Sequence, residues 1–170
     1  MRASKPFQLF LLILGTSLVT LSMRQYGMGM VIVQGTSMTP NLHPGGEYVM
    51  RAGVRDYQRR DVVVVNDGLG GRAVKRIIGL PGETVSIQHG WVEINHRKLT
   101  EPYLKAGTKT YPLTKITQFR LGHGQYFVMG DNRRASKDSR YYGPVSVSQI
   151  CGRVLVAIKG VVPEWRLDKT

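Results

Sequence analysis

The chain has 170 residues, 42% of them hydrophobic, and a formal net charge of +13. That length suits one domain plus an anchor, and that apolar content excludes a disordered chain. The single cysteine, Cys151, excludes an internal disulfide and a cysteine-built zinc cluster.

Residues 7–23, FQLFLLILGTSLVTLSM, carry no charge; Arg2 and Lys5 precede them and Arg24 follows. They predict a transmembrane helix about 25 Å long at ~1.5 Å per residue, which spans a ~30 Å hydrocarbon core with some bilayer thinning. The leading positive charges predict a cytoplasmic segment over residues 1–6 and an extracytoplasmic domain over 24–170. A cleaved secretory signal peptide is the competing reading, with Thr20-Leu21-Ser22 as its small-residue site. Both readings place residues 25–170 outside the cytoplasm.

Beyond the anchor the pattern turns to short β-like runs punctuated by glycine and proline. These are MVIVQ (30–34), EYVMRA (47–52), DVVVVN (61–66), RAVKRIIG (72–79), TVSIQ (84–88), GWVEINHRKL (90–99), QYFVMGD (125–131) and RVLVAIKG (153–160). Leu80-Pro81-Gly82 marks a turn, and residues 90–99 read as a hairpin pivoting near Asn95. No helical period persists over 12 residues. The expected fold is mainly β: an antiparallel, barrel-like sheet core behind one N-terminal transmembrane helix. A loop-rich excursion is expected over about 84–124. Cys151, in ICGRVLVAI, reads as an inert thiol in a buried strand.

The acids all lie after position 46, so residues 25–170 still carry +10 once Arg2, Lys5 and Arg24 are set aside. The charges are scattered, with no run of five basic residues. A solvated basic face beside anionic lipid fits this better than a nucleic-acid site. The histidines, at 43, 89, 96 and 123, have no convincing ligand partners, so no metal and no cofactor are expected.

Three stretches can carry chemistry. In GTSMTPNL (35–42), Gly35 permits close backbone approach, and Ser37 stands at a strand-to-turn transition before Pro40. That geometry exposes a hydroxyl and aims a backbone N–H at a developing oxyanion. Alone, the same residues also read as a serine capping a turn. In AVKRIIGLPGE (73–83), Lys75 and Arg76 are neighbours in an apolar strand and point to opposite faces. If both faces are packed, at least one of the two is buried, and a buried lysine loses affinity for its proton. A neutral lysine can take a serine proton; a lysine snorkelling to water is the plainer alternative. In GDNRRASKDSRYYGPV (130–145), Ser136, Asp138 and Arg140 can share a network, or simply form a polar loop closed by Gly143-Pro144.

Found together, in this order, behind an apolar segment, these stretches resemble the type I signal peptidase family along nearly the whole chain. GTSMTPNL is similar to its nucleophile box, RRDVVVV (59–65) to the strand box that follows, AVKRIIGLPGE to its lysine box and GDNRRASKDSRYYGPV to its last box. The resemblance implies Ser37 as nucleophile, Lys75 as general base and supporting roles for Ser136, Asp138 and Arg140. Ser136 is expected to orient the lysine amine. Gly35 stands where some members carry a serine that helps bind the oxyanion, which leaves more of that task to the Ser37 N–H. Ala135 stands where an asparagine is common.

The implied activity is membrane-bound endoproteolysis, removing signal peptides from secretory preproteins after small residues. Ile32, Val33 and Ile78 are expected to line shallow substrate pockets, and the substrate to pair with a sheet edge near 31–36 or 72–75. The partners are preproteins and membrane lipid, not nucleic acid. The implied location is the plasma (inner) membrane, crossed once. Thirteen residues separate Met23 from Ser37, at most about 45 Å of extended chain, which holds the serine near the bilayer. Two alternatives stand: a conjugative-transfer, pilin-maturing peptidase of the same Ser–Lys type, and a non-enzymatic basic binding module tethered to the membrane. A self-cleaving repressor would need a DNA-binding domain where the apolar segment lies.

Overall fold

The computed structural model describes residues 25–66 and 70–159. The expected cytoplasmic segment and the anchor at 7–23 lie outside the described residues. Among the described residues no helix is long and apolar enough to cross a membrane.

The apolar runs form antiparallel strands. A seven-stranded sheet takes β1 (Met28–Ile32), β2 (Glu47–Arg51), β3 (Val62–Asn66), β4 (Arg72–Gly79), β9 (Gln125–Met129), β10 (Val145–Ser146) and β11 (Ile150–Lys159). Its order is β1-β2-β11-β3-β4-β9-β10. A second sheet, ordered β7-β6-β5-β8, takes β5 (Thr84–Gln88), β6 (Trp91–Ile94), β7 (Arg97–Lys98) and β8 (Gln118–Arg120). Residues 100–117 hold turns and extended chain without a strand. One short helix, α1 (Ser139–Tyr142), is capped by Asp138, whose side chain accepts from the Arg140 N–H.

Near-continuous β-branched runs occur because the large sheet is covered on both faces. Along β9, Tyr126 and Val128 join a cluster with Tyr57, Val63, Val65, Ile77 and Ile150. Phe127 and Met129 point the other way, into a cluster with Ile78, Val85, Ile87, Val92 and Tyr103 that joins the two sheets. The strand period of two turns one apolar run into two buried faces. A third cluster, of Val33, Met38, Leu42, Tyr48, Val64 and Val74, lies under the β1–β2 connection. This fixes the connection against β3 and β4.

Candidate active site

Ser37 sits in the turn between β1 and β2. Thr39 N–H donates to Thr36 O at 3.2 Å, and Leu42 N–H to Met38 O at 2.9 Å. Met38 has no exposed surface and anchors the turn in the third cluster, while Ser37 beside it is half-buried. Apolar neighbours thus pin the turn and leave the hydroxyl at its rim.

Lys75 stands in β4, opposite Val63 of β3, and is only 3% exposed. Its Nζ donates to Ser37 Oγ at 3.0 Å. The two motifs, 38 positions apart in sequence, meet at hydrogen-bond distance. Arg76 is also buried, on the other face of the strand. Its Nε and Nη2 donate to Asp131 Oδ1 and Oδ2 at 2.8 and 2.6 Å, its Nη1 to Arg60 O at 2.9 Å, and its guanidinium lies 4.3 Å from the Tyr103 ring centroid. This is the planar, bidentate geometry that arginine supplies and lysine cannot.

The last motif closes the site from below. Asp138 and Arg140 are buried and paired twice, Nε to Oδ1 and Nη2 to Oδ2, each at 2.8 Å. Asp138 Oδ2 also accepts the Gly130 N–H at 3.0 Å. A Cβ placed on Gly130 would lie 2.3 Å from Ser136 Oγ and 2.5 Å from Ser37 O, so only a glycine fits between them. Ser136 is buried here, but among the described residues its hydroxyl has no hydrogen-bond partner, and the expected bond to the Lys75 amine is not made. Its carbonyl instead accepts from Arg140 Nη2 at 3.3 Å, and its side chain packs against Gly130. Gly35 is exposed, and a Cβ there meets nothing within 4 Å.

The residues expected to line the substrate pocket differ in burial. Ile32 is 57% exposed on β1. Val33 is buried with Met38, and Ile78, with no exposed surface, is buried between the sheets. Strand alternation turns Val33 inward as soon as Ile32 points out.

Several residues that sequence reasoning passed over build the surroundings of the pair. Asn132 N–H donates to Ser37 O at 2.9 Å, and its Nδ2 to Thr39 Oγ1 at 3.1 Å. Asn41 Nδ2 donates to Asp131 Oδ2 and to Tyr103 O, both at 2.8 Å. Arg133 Nε donates to Gly130 O at 3.1 Å, and its Nη atoms reach Glu101 and Thr110 Oγ1. Burial opposes the Arg133 charge, but the Glu101 hydrogen bonds and charge outweigh it and hold its pKa above the ordinary value. Burial, with the Glu101 charge adding to it, pushes the Tyr103 phenol well above its usual range. The signal for one of these is the lysine–arginine alternation: a buried Arg76 demands a buried anion, and Asp131 directly follows the apolar QYFVMG. Among the described residues no group of three His, Cys, Asp or Glu side chains could hold a metal ion.

The profile of the family described as signal peptidase, peptidase S26, matches residues 7–158. A signal peptidase I of Bacillus licheniformis is 40% identical over 119 residues, 64% of each chain. A signal peptidase I of Bacillus amyloliquefaciens is 41% identical over 131 residues, 71% of this chain and 70% of that one. A crystal structure of a signal peptidase I from Enterococcus faecalis V583 covers 61% of this chain and all of its own, at 32% identity and a TM-score of 0.47. The chain thus spans just under two thirds of the length of the first of these relatives. With the family's profile running from the apolar segment through the last strand, the chain belongs to the signal peptidase family, peptidase S26.

Proposed function

We propose that this chain is a membrane-anchored serine endopeptidase that removes signal peptides from exported preproteins, with Ser37 as nucleophile and Lys75 as general base. The observation that carries this reading is the 3.0 Å contact between Lys75 Nζ and Ser37 Oγ at a lysine only 3% exposed. Burial disfavours the ammonium form, and a neutral amine has the lone pair needed to accept the serine proton. Ser37 Oγ then attacks the scissile carbonyl and gives its proton to Lys75 Nζ. The tetrahedral oxyanion meets the Ser37 backbone N–H, which makes no hydrogen bond among the described residues. Lys75 passes its proton to the leaving amine, freeing the new N-terminus and leaving an acyl-enzyme. Water, deprotonated by the same amine, hydrolyses the ester and restores Ser37.

An extended substrate has two places to add as a strand. Among the described residues β1 pairs only with β2, and residues 72–74 of β4 pair only with β3, because β9 joins β4 from Arg76 onward. Both open edges flank the Ser37–Lys75 pair, which suits backbone recognition of a peptide whose side chains near the cut are small. Exposed Tyr26, Met30 and Ile32 lie where the chain enters the domain from the apolar segment, and fit a resting place at the bilayer surface. The apolar residues 7–23 and their flanking charges support a membrane location with one crossing and an extracytoplasmic domain, which we propose to be at the plasma membrane.

The test is cleavage of a preprotein with alanine at the first and third positions before the cut, in detergent micelles, by wild type, Ser37→Ala and Lys75→Ala. Cleavage by wild type alone, rising with pH as the amine loses its proton, supports the reading. Cleavage that survives Ser37→Ala sinks it.

A further inference from the structure

Asn41 lies in the Ser37 turn, four residues beyond the serine, and is 9% exposed. The orientation of its amide is fixed by chemistry, because both atoms around Nδ2 can only accept: Asp131 Oδ2 and Tyr103 O, each at 2.8 Å. Asp131 Oδ2 is also held by Arg76 Nη2 at 2.6 Å, and the Arg76 guanidinium stacks on the Tyr103 ring. The four residues therefore form a closed ring of contacts.

Three members of that ring are tied to the Ser37–Lys75 pair through the backbone. Arg76 directly follows Lys75. Asn41 shares the Ser37 turn, closed by the Leu42 N–H to Met38 O bond. Asp131 precedes Asn132, whose N–H donates to Ser37 O at 2.9 Å. One carboxylate thus receives the arm that carries the serine and the arm that carries the lysine. An apolar residue at 41 would remove this polar link and leave the turn held by Asn132 and by the third apolar cluster.

We infer that Asn41 is a positioning residue: its side-chain amide fastens the Ser37 turn to the Asp131–Arg76 pair and so sets the separation of Ser37 Oγ and Lys75 Nζ. This rests on the Ser–Lys reading above for its catalytic consequence, and not for its structural one. Asn41→Asp keeps the shape and replaces the donor with a carboxylate facing Asp131. At neutral pH the two repel; as pH falls the pair takes up one shared proton and the donor is restored.

The experiment compares wild type, Asn41→Ala and Asn41→Asp by two readouts. Amide hydrogen exchange at Asn132, referenced to the amides of β5 and β6, accelerates by about tenfold in both variants if the fastening exists. With the preprotein substrate, kcat falls by about tenfold while KM changes by less than about twofold, as expected when only the reacting atoms lose alignment. The deficit of Asn41→Asp relative to wild type shrinks as pH falls, whereas that of Asn41→Ala does not. Wild-type exchange at Asn132 in both variants overturns the inference, whether or not the chain cleaves anything. Wild-type kcat in both variants, with Ser37→Ala inactive, overturns the catalytic part and leaves the proposed peptidase intact. A wild type that cleaves nothing overturns the peptidase reading, and the exchange rates then decide the fastening alone.

Discussion

Gly130→Ala tests the tightest point of the site. The added methyl carbon would start 2.5 Å from Ser37 O and 2.3 Å from Ser136 Oγ, against the 3.4 Å at which ordinary contact begins. Ser136 Oγ, without a hydrogen bond among the described residues, can rotate away, but its Cβ, 2.5 Å from the added carbon, cannot. Ser37 O cannot, because it is backbone and accepts the Asn132 N–H. Relief therefore requires shifts of roughly 1 Å in the chain that carries Ser37 and in the loop that carries Ser136. A displacement of about 1 Å in a reacting group costs on the order of a hundredfold in rate. Overpacking of this kind costs about 1–3 kcal/mol of stability, so the variant should still fold. The assay is kcat/KM on the preprotein substrate, with thermal unfolding measured alongside. Gly35→Ala is the control, since a methyl group there meets nothing within 4 Å. A Gly130→Ala protein that cleaves at the wild-type rate would refute the reasoning, because the serine would then tolerate displacement or the contact would not exist.

Gly35→Ser should fold normally and cleave at least as fast as wild type, since the position is open and a hydroxyl adds a donor near the developing oxyanion; a slower enzyme of unchanged KM would count against that placement. Asp138→Asn leaves the buried Arg140 charge without its partner and should cost about 3–5 kcal/mol in urea unfolding. A loss below about 1 kcal/mol would show that the pair is replaceable by solvent. Tyr103 has its pKa raised by burial and by Glu101, so the native state keeps a proton that the unfolded chain releases. Its contribution is complete below the unfolded value of about 10 and drains away at higher pH, by about 1.4 kcal/mol per pH unit. Tyr103→Phe should flatten that alkaline slope, and Tyr57, raised chiefly by burial, should leave a remainder.

What the sequence makes legible here depends on range. The long strands announce themselves, since DVVVVN and QYFVM leave no other economical packing. β8, with only Gln118, Phe119 and Arg120, has too little apolar content to stand out and exists because β5 offers it an edge. Ser37 and Lys75 are legible through their motifs, and the alternation of Lys75 and Arg76 already requires a buried charge. The partner of that charge is signalled only by Asp131 following an apolar strand; the pairing itself, across 55 positions, is delivered by the β4–β9 register. Asn41 escapes notice for the same reason: an asparagine after a proline reads as a turn residue until its acceptors are seen. Residue type alone does not separate pocket from core, since a small apolar side chain such as Val33 or Ile78 suits either.

The order of the large sheet has a consequence for the timing of synthesis. The strand that ends the described chain, β11, is inserted between β2 and β3, pairing with both. The serine hangs from the β1–β2 side of that insertion and the lysine stands on β4, across it. A growing chain therefore holds Ser37 and Lys75 long before the sheet between their strands is complete. The sheet closes only when residues 150–159 arrive, about a hundred positions after β2, and such distant pairings form late. The order of pairing among the described strands thus makes β11 the piece that completes the large sheet.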